Sequence, residues 1–219
     1  MVVLHRRLSR SLVTLQKCYD KNVMTTEDKN LLAGQVQTDV SLLSILSVIS
    51  VFFIGSLLPK FDSYDLSVKI PISFLIIATF AFIFAALIIS NASQRIIKGD
   101  LKEAQRHLDV GYAISEYMGV FLFVLSVPLA ISIITADPYL RIVTFCAAIL
   151  GMSLYSFMGF SLLENHFSKS YRPLSIAIIL FGIILFFAQI FAFQFTAIAV
   201  IFLVFILLTT IFAPIREIQ

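Results

Sequence analysis

Ser90-Asn-Ala-Ser-Gln-Arg-Ile-Ile-Lys-Gly-Asp-Leu-Lys-Glu-Ala-Gln-Arg-His-Leu-Asp-Val-Gly-Tyr-Ala-Ile-Ser-Glu116 is the one long polar stretch between the first apolar run and the C-terminus. It carries Arg95, Lys98, Lys102 and Arg106, balanced by Asp100, Glu103, Asp109 and Glu116. On either side the chain is apolar over lengths that suit bilayer-crossing helices, which need roughly 20 residues each. Basic residues in a short loop between such runs mark the cytoplasmic side. This segment therefore orients everything else.

Working outward, the charge-free stretches are Val40–Pro59, Ile70–Gln94, Tyr117–Ala136, Ile142–Leu163 and Pro173–Ile215. Only 13% of the 219 residues are charged and 59% are apolar, against about 25% charged in ordinary soluble domains. The expected fold is all-α: a polytopic membrane protein, a bundle of six transmembrane helices with cytoplasmic amphipathic helices. Spans are expected at about residues 40–58, 70–89, 112–134, 139–163, 174–192 and 196–213. Residues 1–39 form a cytoplasmic N-terminal segment, and 90–111 a cytoplasmic amphipathic loop. The last two spans share an uncharged stretch too long for one crossing, about 60 Å as a single helix, so a hairpin near Gln189 to Thr196 is expected, with Thr196 as its N-cap.

Six spans put both termini on one side. The expected inside segments hold thirteen of the sixteen Lys and Arg residues, and the outside segments hold Lys60, Lys69 and Arg141. That asymmetry predicts cytoplasmic N- and C-termini. Leu4, Leu8, Leu12, Leu15 and Tyr19 share one helical face, with Arg6, Arg7, Arg10 and Lys17 mostly off it. Such a helix rests in the membrane interface or packs on the protein's own loops. A second helix, about Thr26 to Thr38, is expected to run into the first span.

Within the polar stretch, Ile97, Leu101, Ala104 and Leu108 form one stripe and Arg95, Lys98, Lys102 and Arg106 another. These suit a helix lying along the inner leaflet, its basic stripe toward anionic headgroups. Gly99 weakens it, and Gly111 is the expected break before the third span. Pro71 is expected in the first turn of the second span. Pro128 is expected to kink the third, and Asp137-Pro138 to make the turn that opens the fourth. The fourth span carries small residues at packing spacings, Ala147, Gly151 and Gly159 among them.

No charge lies at mid-depth in any expected span, which speaks against ion-coupled transport through intramembrane acids or bases. His5, His107 and His166 fall in separate segments, with no close-set ligand pair, so no metal site is expected. Glu164 and His166 are read as solvating a helix end. Cys18 and Cys146 lie too far apart in the expected topology to pair. No nucleotide loop or nucleophile motif occurs. No enzyme, cofactor or nucleic-acid partner is expected.

The sharpest polar feature is Ser41, Ser44, Ser47 and Ser50, every third residue of the first span. Close packing with hydroxyls bonded to backbone accounts for such a band. So does a hydroxyl-lined path at an oligomer axis. The functional expectation is an oligomeric, channel-like protein for passive permeation of small ions or solutes. Ser44, Ser47 and Ser50 would line its path, with Glu116 near the inner mouth. The rival expectation is a non-catalytic anchor or regulatory protein that binds anionic lipid or a partner protein through Arg95, Lys98, Lys102 and Arg106. The lipid bilayer and, for the first reading, further copies of the chain are the implied partners.

Overall fold

The computed structural model describes residues 26–135, 137–157, 172–191 and 194–215. The N-terminal amphipathic helix, Glu164, His166 and the C-terminal Arg216 fall outside the described residues. The described chain is all-helical, with six helices, three of them long and apolar. Helix α1 spans Thr26–Leu57 and α2 spans Leu66–Lys98, joined by a 3-10 turn over Leu58–Ser63. The third rod, α3, is continuous but changes pitch. It is α-helical over Leu101–Ala113, π-helical over Ile114–Phe121 and α-helical again over Leu122–Ile134. Helices α4 (Pro138–Phe157), α5 (Arg172–Ile190) and α6 (Phe195–Ile215) follow.

Among the described residues, three stretches are long and apolar enough to cross a membrane: Thr26–Leu57, Val68–Lys98 and Leu101–Ile131. Pro138–Leu154, Ile176–Ile190 and Phe195–Ile211 are shorter apolar helices.

The polar stretch is not one helix, which corrects the expected flat-lying amphipathic segment. Gly99 adopts φ 84, a left-handed conformation that closes α2, and its N–H reaches back to the Arg95 and Ile96 carbonyls. Glycine takes that conformation without the Cβ clash other residues meet. Asp100 then caps α3, its carboxylate accepting from the Glu103 N–H. Arg95 and Lys98 lie at the C-terminal end of α2 and Glu103 in the first turn of α3, each matched in sign to the helix dipole beside it. The two halves of the stretch thus form opposing arms of a hairpin. Gly111, expected as a break, sits inside α3. A Cβ there would lie 2.4 Å from the Cγ1 of Ile89, so the glycine permits close approach of the arms.

The register is regular. Gly111 meets Ile89 and Gly119 meets Phe82, which makes α2 and α3 antiparallel. Ser47 approaches the Thr79 carbonyl and Ser93 the Ala33 carbonyl, each at 3.5 Å, so α1 and α2 are antiparallel as well. Tyr112 bonds Asp39 at 2.6 Å and Phe53 meets Phe123 at 6.5 Å between centroids. These contacts set α3 parallel to α1.

The core runs along α3. Leu108, Tyr112, Tyr117, Phe121, Leu122, Leu125 and Leu129 are buried against Phe82, Ala85 and Ile89 of α2 and Phe202 and Ile206 of α6. Pro71 lies inside α2 rather than in its first turn, because that helix begins at Leu66. Asp137 accepts from the Tyr139 and Leu140 N–H groups and so caps α4. The uncharged C-terminal stretch is divided between Ile190 and Phe195, with Gln194 at φ 44. The Gln194 carbonyl accepts from the Ile198 N–H, so Gln194 precedes the helix in the position expected of Thr196.

Candidate polar site between the first and third helices

Three groups of polar residues bear on function: the serine band of α1, the acids around the middle of α3, and the basic residues at the hairpin tip.

Every hydroxyl of the serine band bonds to backbone. Ser41 donates to Gln37 at 3.0 Å, Ser44 to Val40 at 2.8 Å and Ser50 to Leu46 at 2.8 Å, each one turn back. Ser47 is turned toward the Thr79 carbonyl of α2. Ser47 and Ser50 are buried, whereas Ser41 and Ser44 are exposed. A step of three residues drifts around a 3.6-residue turn, so the band divides between two faces. One face seals α1 to α2 and the other is open. The open hydroxyls have used their single donor on their own helix, and their remaining lone pairs can only accept.

Helix α1 is the most open of the three long helices. Of its apolar stretch 22% is buried, against 56% and 61% for the stretches in α2 and α3. Gly34, Ser41, Val48 and Gly55, seven residues apart, are all exposed, and a Cβ on either glycine would meet nothing within 4 Å. These glycines answer no packing demand among the described residues.

The acids lie on the other side of α1. Tyr112 donates to the Asp39 carboxylate at 2.6 Å, and Gln105 donates to Asp109 at 2.7 Å one turn away. Asp39 stands just ahead of the charge-free run that begins at Val40. About one turn beyond Tyr112 come Ser115 and Glu116, both 1% exposed. They sit in the π-helical segment, a geometry that occurs mostly as short bulges and often at functional sites. Glu116 is enclosed by the bundle rather than standing at an open mouth. The sequence reading missed the Asp39–Tyr112 bond, because partners 73 positions apart leave no local periodicity. The visible signal was a lone acid at the edge of one apolar run and a tyrosine at the edge of another.

At the hairpin tip Arg95, Lys98, Lys102 and Arg106 are all exposed. Arg95 pairs with Asp100 at 3.4 Å, and the Lys29 ammonium lies 3.2 Å from where a Cβ on Gly99 would stand. The structure thus brings the four basic residues to one end of the molecule, on two arms rather than one stripe. His107 bonds the Glu103 carbonyl through Nδ1 at 2.7 Å. Cys146 is a free, exposed thiol. Among the described residues no group of three His, Cys, Asp or Glu side chains could hold a metal ion.

Comparison with protein-family models, curated proteins and solved structures finds no match.

Proposed function

We propose that this chain is a six-span integral membrane protein with cytoplasmic termini that assembles through α1 into a channel-like oligomer for passive permeation of small ions or solutes. The observation that carries the reading is the open face of α1. This long apolar helix leaves hydroxyls and unexplained glycines exposed, in part at a seven-residue spacing that suits helix-on-helix association. Ser44 lies on the open face and forms the wall of the path. Ser47, turned toward the Thr79 carbonyl of α2, and the buried Ser50 lie behind it, and Glu116 lies deeper in the same bundle, toward the polar end. Conductance across planar bilayers containing the purified protein tests the reading. Discrete steps are expected. Their absence across a range of pH, calcium concentration and voltage contradicts it.

The exposed basic tip favours a second reading, that of an anchor or regulatory protein that binds anionic lipid. From Ile89 to Lys98 the hairpin extends about 14 Å past the apolar run, so the cations reach headgroup level and beyond. Asp100 and Glu103 offset part of this charge, which ranks the reading second. It predicts that anionic lipid raises the unfolding temperature of the detergent-solubilised protein. Replacing Arg95, Lys98, Lys102 and Arg106 together by Gln removes that rise. No difference between the two proteins contradicts it.

A further inference from the structure

The three long helices leave the apolar zone at one level. Asp39 of α1 bonds Tyr112 of α3, and the neighbouring Gly111 meets Ile89 of α2. Going back along α2 from Ile89, the next charge is Lys69, about 30 Å of helix away. That distance is the thickness of a bilayer's hydrocarbon core, so the Asp39 level suits one edge of it.

Beyond that edge the basic residues of the hairpin stand in two tiers. Carried outward, the contact of Gly111 with Ile89 places Lys102 opposite Lys98, and Arg106 opposite Gln94, next to Arg95. At 1.5 Å per residue the two arginines lie about 8–9 Å past the edge and the two lysines about 14 Å. A headgroup region is about 5–8 Å deep on each side. An arginine stem folds back over so short a gap, whereas the lysines start roughly 5 Å farther out. The tiers differ in charge as well. Asp100 and Glu103 share the lysine tier, with Glu27 and Asp28 of α1 at or above it. Between the arginines and the edge the hairpin carries one acid, Asp109, which accepts from Gln105. Arg95 meets Asp100 at 3.4 Å, but both side chains are exposed, such a pair contributes little, and a guanidinium has five N–H donors. Below Arg95 the same face of α2 is apolar and open. Phe80, Phe84 and Leu87 are all more than half exposed, and they lead through Asn91 to Arg95 at helical steps of three and four.

We infer that Arg95 and Arg106, on adjoining arms at one level, form a site for the phosphate of a single anionic phospholipid, and that Lys98 and Lys102 take no part in it. This deepens the anionic-lipid reading above and rests on it. Guanidinium groups match phosphate oxygens with paired, charge-assisted bonds. The acyl chains of the same lipid lie along Phe80, Phe84 and Leu87, which a free phosphate would leave uncovered.

The test uses full-length protein in detergent, with phosphatidylglycerol added until the unfolding temperature has risen by half its full extent. Arg95→Gln with Arg106→Gln is compared with Lys98→Gln with Lys102→Gln, which removes the same charge. The arginine double variant is expected to need about tenfold or more lipid than wild type, and the lysine double variant to stay within about twofold. Glycerol phosphate at the same concentrations is expected to leave the wild-type unfolding temperature unchanged. Equal weakening in the two double variants, or weakening in the lysine one alone, overturns the inference and leaves the anionic-lipid reading standing. A rise with glycerol phosphate equal to that with lipid overturns the lipid as the occupant. If the arginine double variant does not fold, Arg95→Lys with Arg106→Lys carries the test, since it keeps the charge and loses the planar fork. It is expected to need severalfold more lipid, and an unchanged requirement overturns the inference. A wild type that does not respond to phosphatidylglycerol overturns the site and the anionic-lipid reading together.

Discussion

At the scale of single residues, the side chains that organise the polar end are ones that local periodicity does not mark. Asp39 and Tyr112 meet across the bundle at 2.6 Å, the Tyr112 side chain buried to 2% exposure. Tyr112→Phe takes the donor from a largely buried carboxylate. It is expected to cost about 1–3 kcal/mol of stability, measured by denaturant or thermal unfolding in detergent. A loss smaller than that measurement resolves would show that the bond contributes little. The serine band, by contrast, was visible in the sequence as a period of three. What its period could not reveal was the partner of each hydroxyl. A serine in an apolar helix bonds its own preceding turn unless a neighbour offers better geometry, and Ser47 alone of the four points across to α2. Glu116 was legible as a charge at the edge of a run. Its enclosure came from the packing of α2 and α6 around α3, which a single strand of sequence does not display.

At the scale of elements, the helices were legible and their joints less so. The charge-free runs marked where helices lie, because their length and composition fit no other described element. Their ends were misplaced, since α2 begins before Ile70 and both it and α3 extend well into the polar stretch. Apolar composition reports where a helix is dry, not where its hydrogen bonds stop. The two glycines of that stretch carry the lesson. Gly99, at φ 84, makes the turn, and Gly111, with Ile89 2.4 Å from where its Cβ would be, makes the contact. In sequence they look alike. Gly99→Ala is expected to destabilise the hairpin by about 1–2 kcal/mol, the cost of a left-handed conformation for an L-residue. Gly111→Ala is expected to cost about 1–3 kcal/mol, because Ile89 or the helix beneath it must shift. Unfolding of both variants checks the pair. A neutral Gly111→Ala would mean the arms are not as close as described.

At the scale of the whole molecule, α1, α2 and α3 form a bundle of alternating direction, with α1 on its outer side and α6 against its core. The all-helical character and the three long apolar helices follow from composition and run length. Assembly is a different matter, since the face through which copies would meet carries no charge pattern and shows itself only once the side α1 gives to α2 is known. Gly55 bears on it directly. A side chain there meets nothing within 4 Å among the described residues, so Gly55→Leu is expected to leave the single chain at least as stable as wild type, leucine being the better helix former. The same variant is expected to reduce the oligomeric mass measured by light scattering in detergent. Unchanged mass would remove α1 as the assembly helix.

Permeation along α1 is the central claim, and ion flux into proteoliposomes tests it most directly, with empty vesicles and a Ser44→Leu variant alongside. Ser44 is exposed and its hydroxyl bonds its own helix, so leucine there breaks no hydrogen bond to another described helix. Flux well above empty vesicles, reduced about tenfold or more by Ser44→Leu, is the predicted result. Flux equal to empty vesicles, or equal in both proteins, would contradict it.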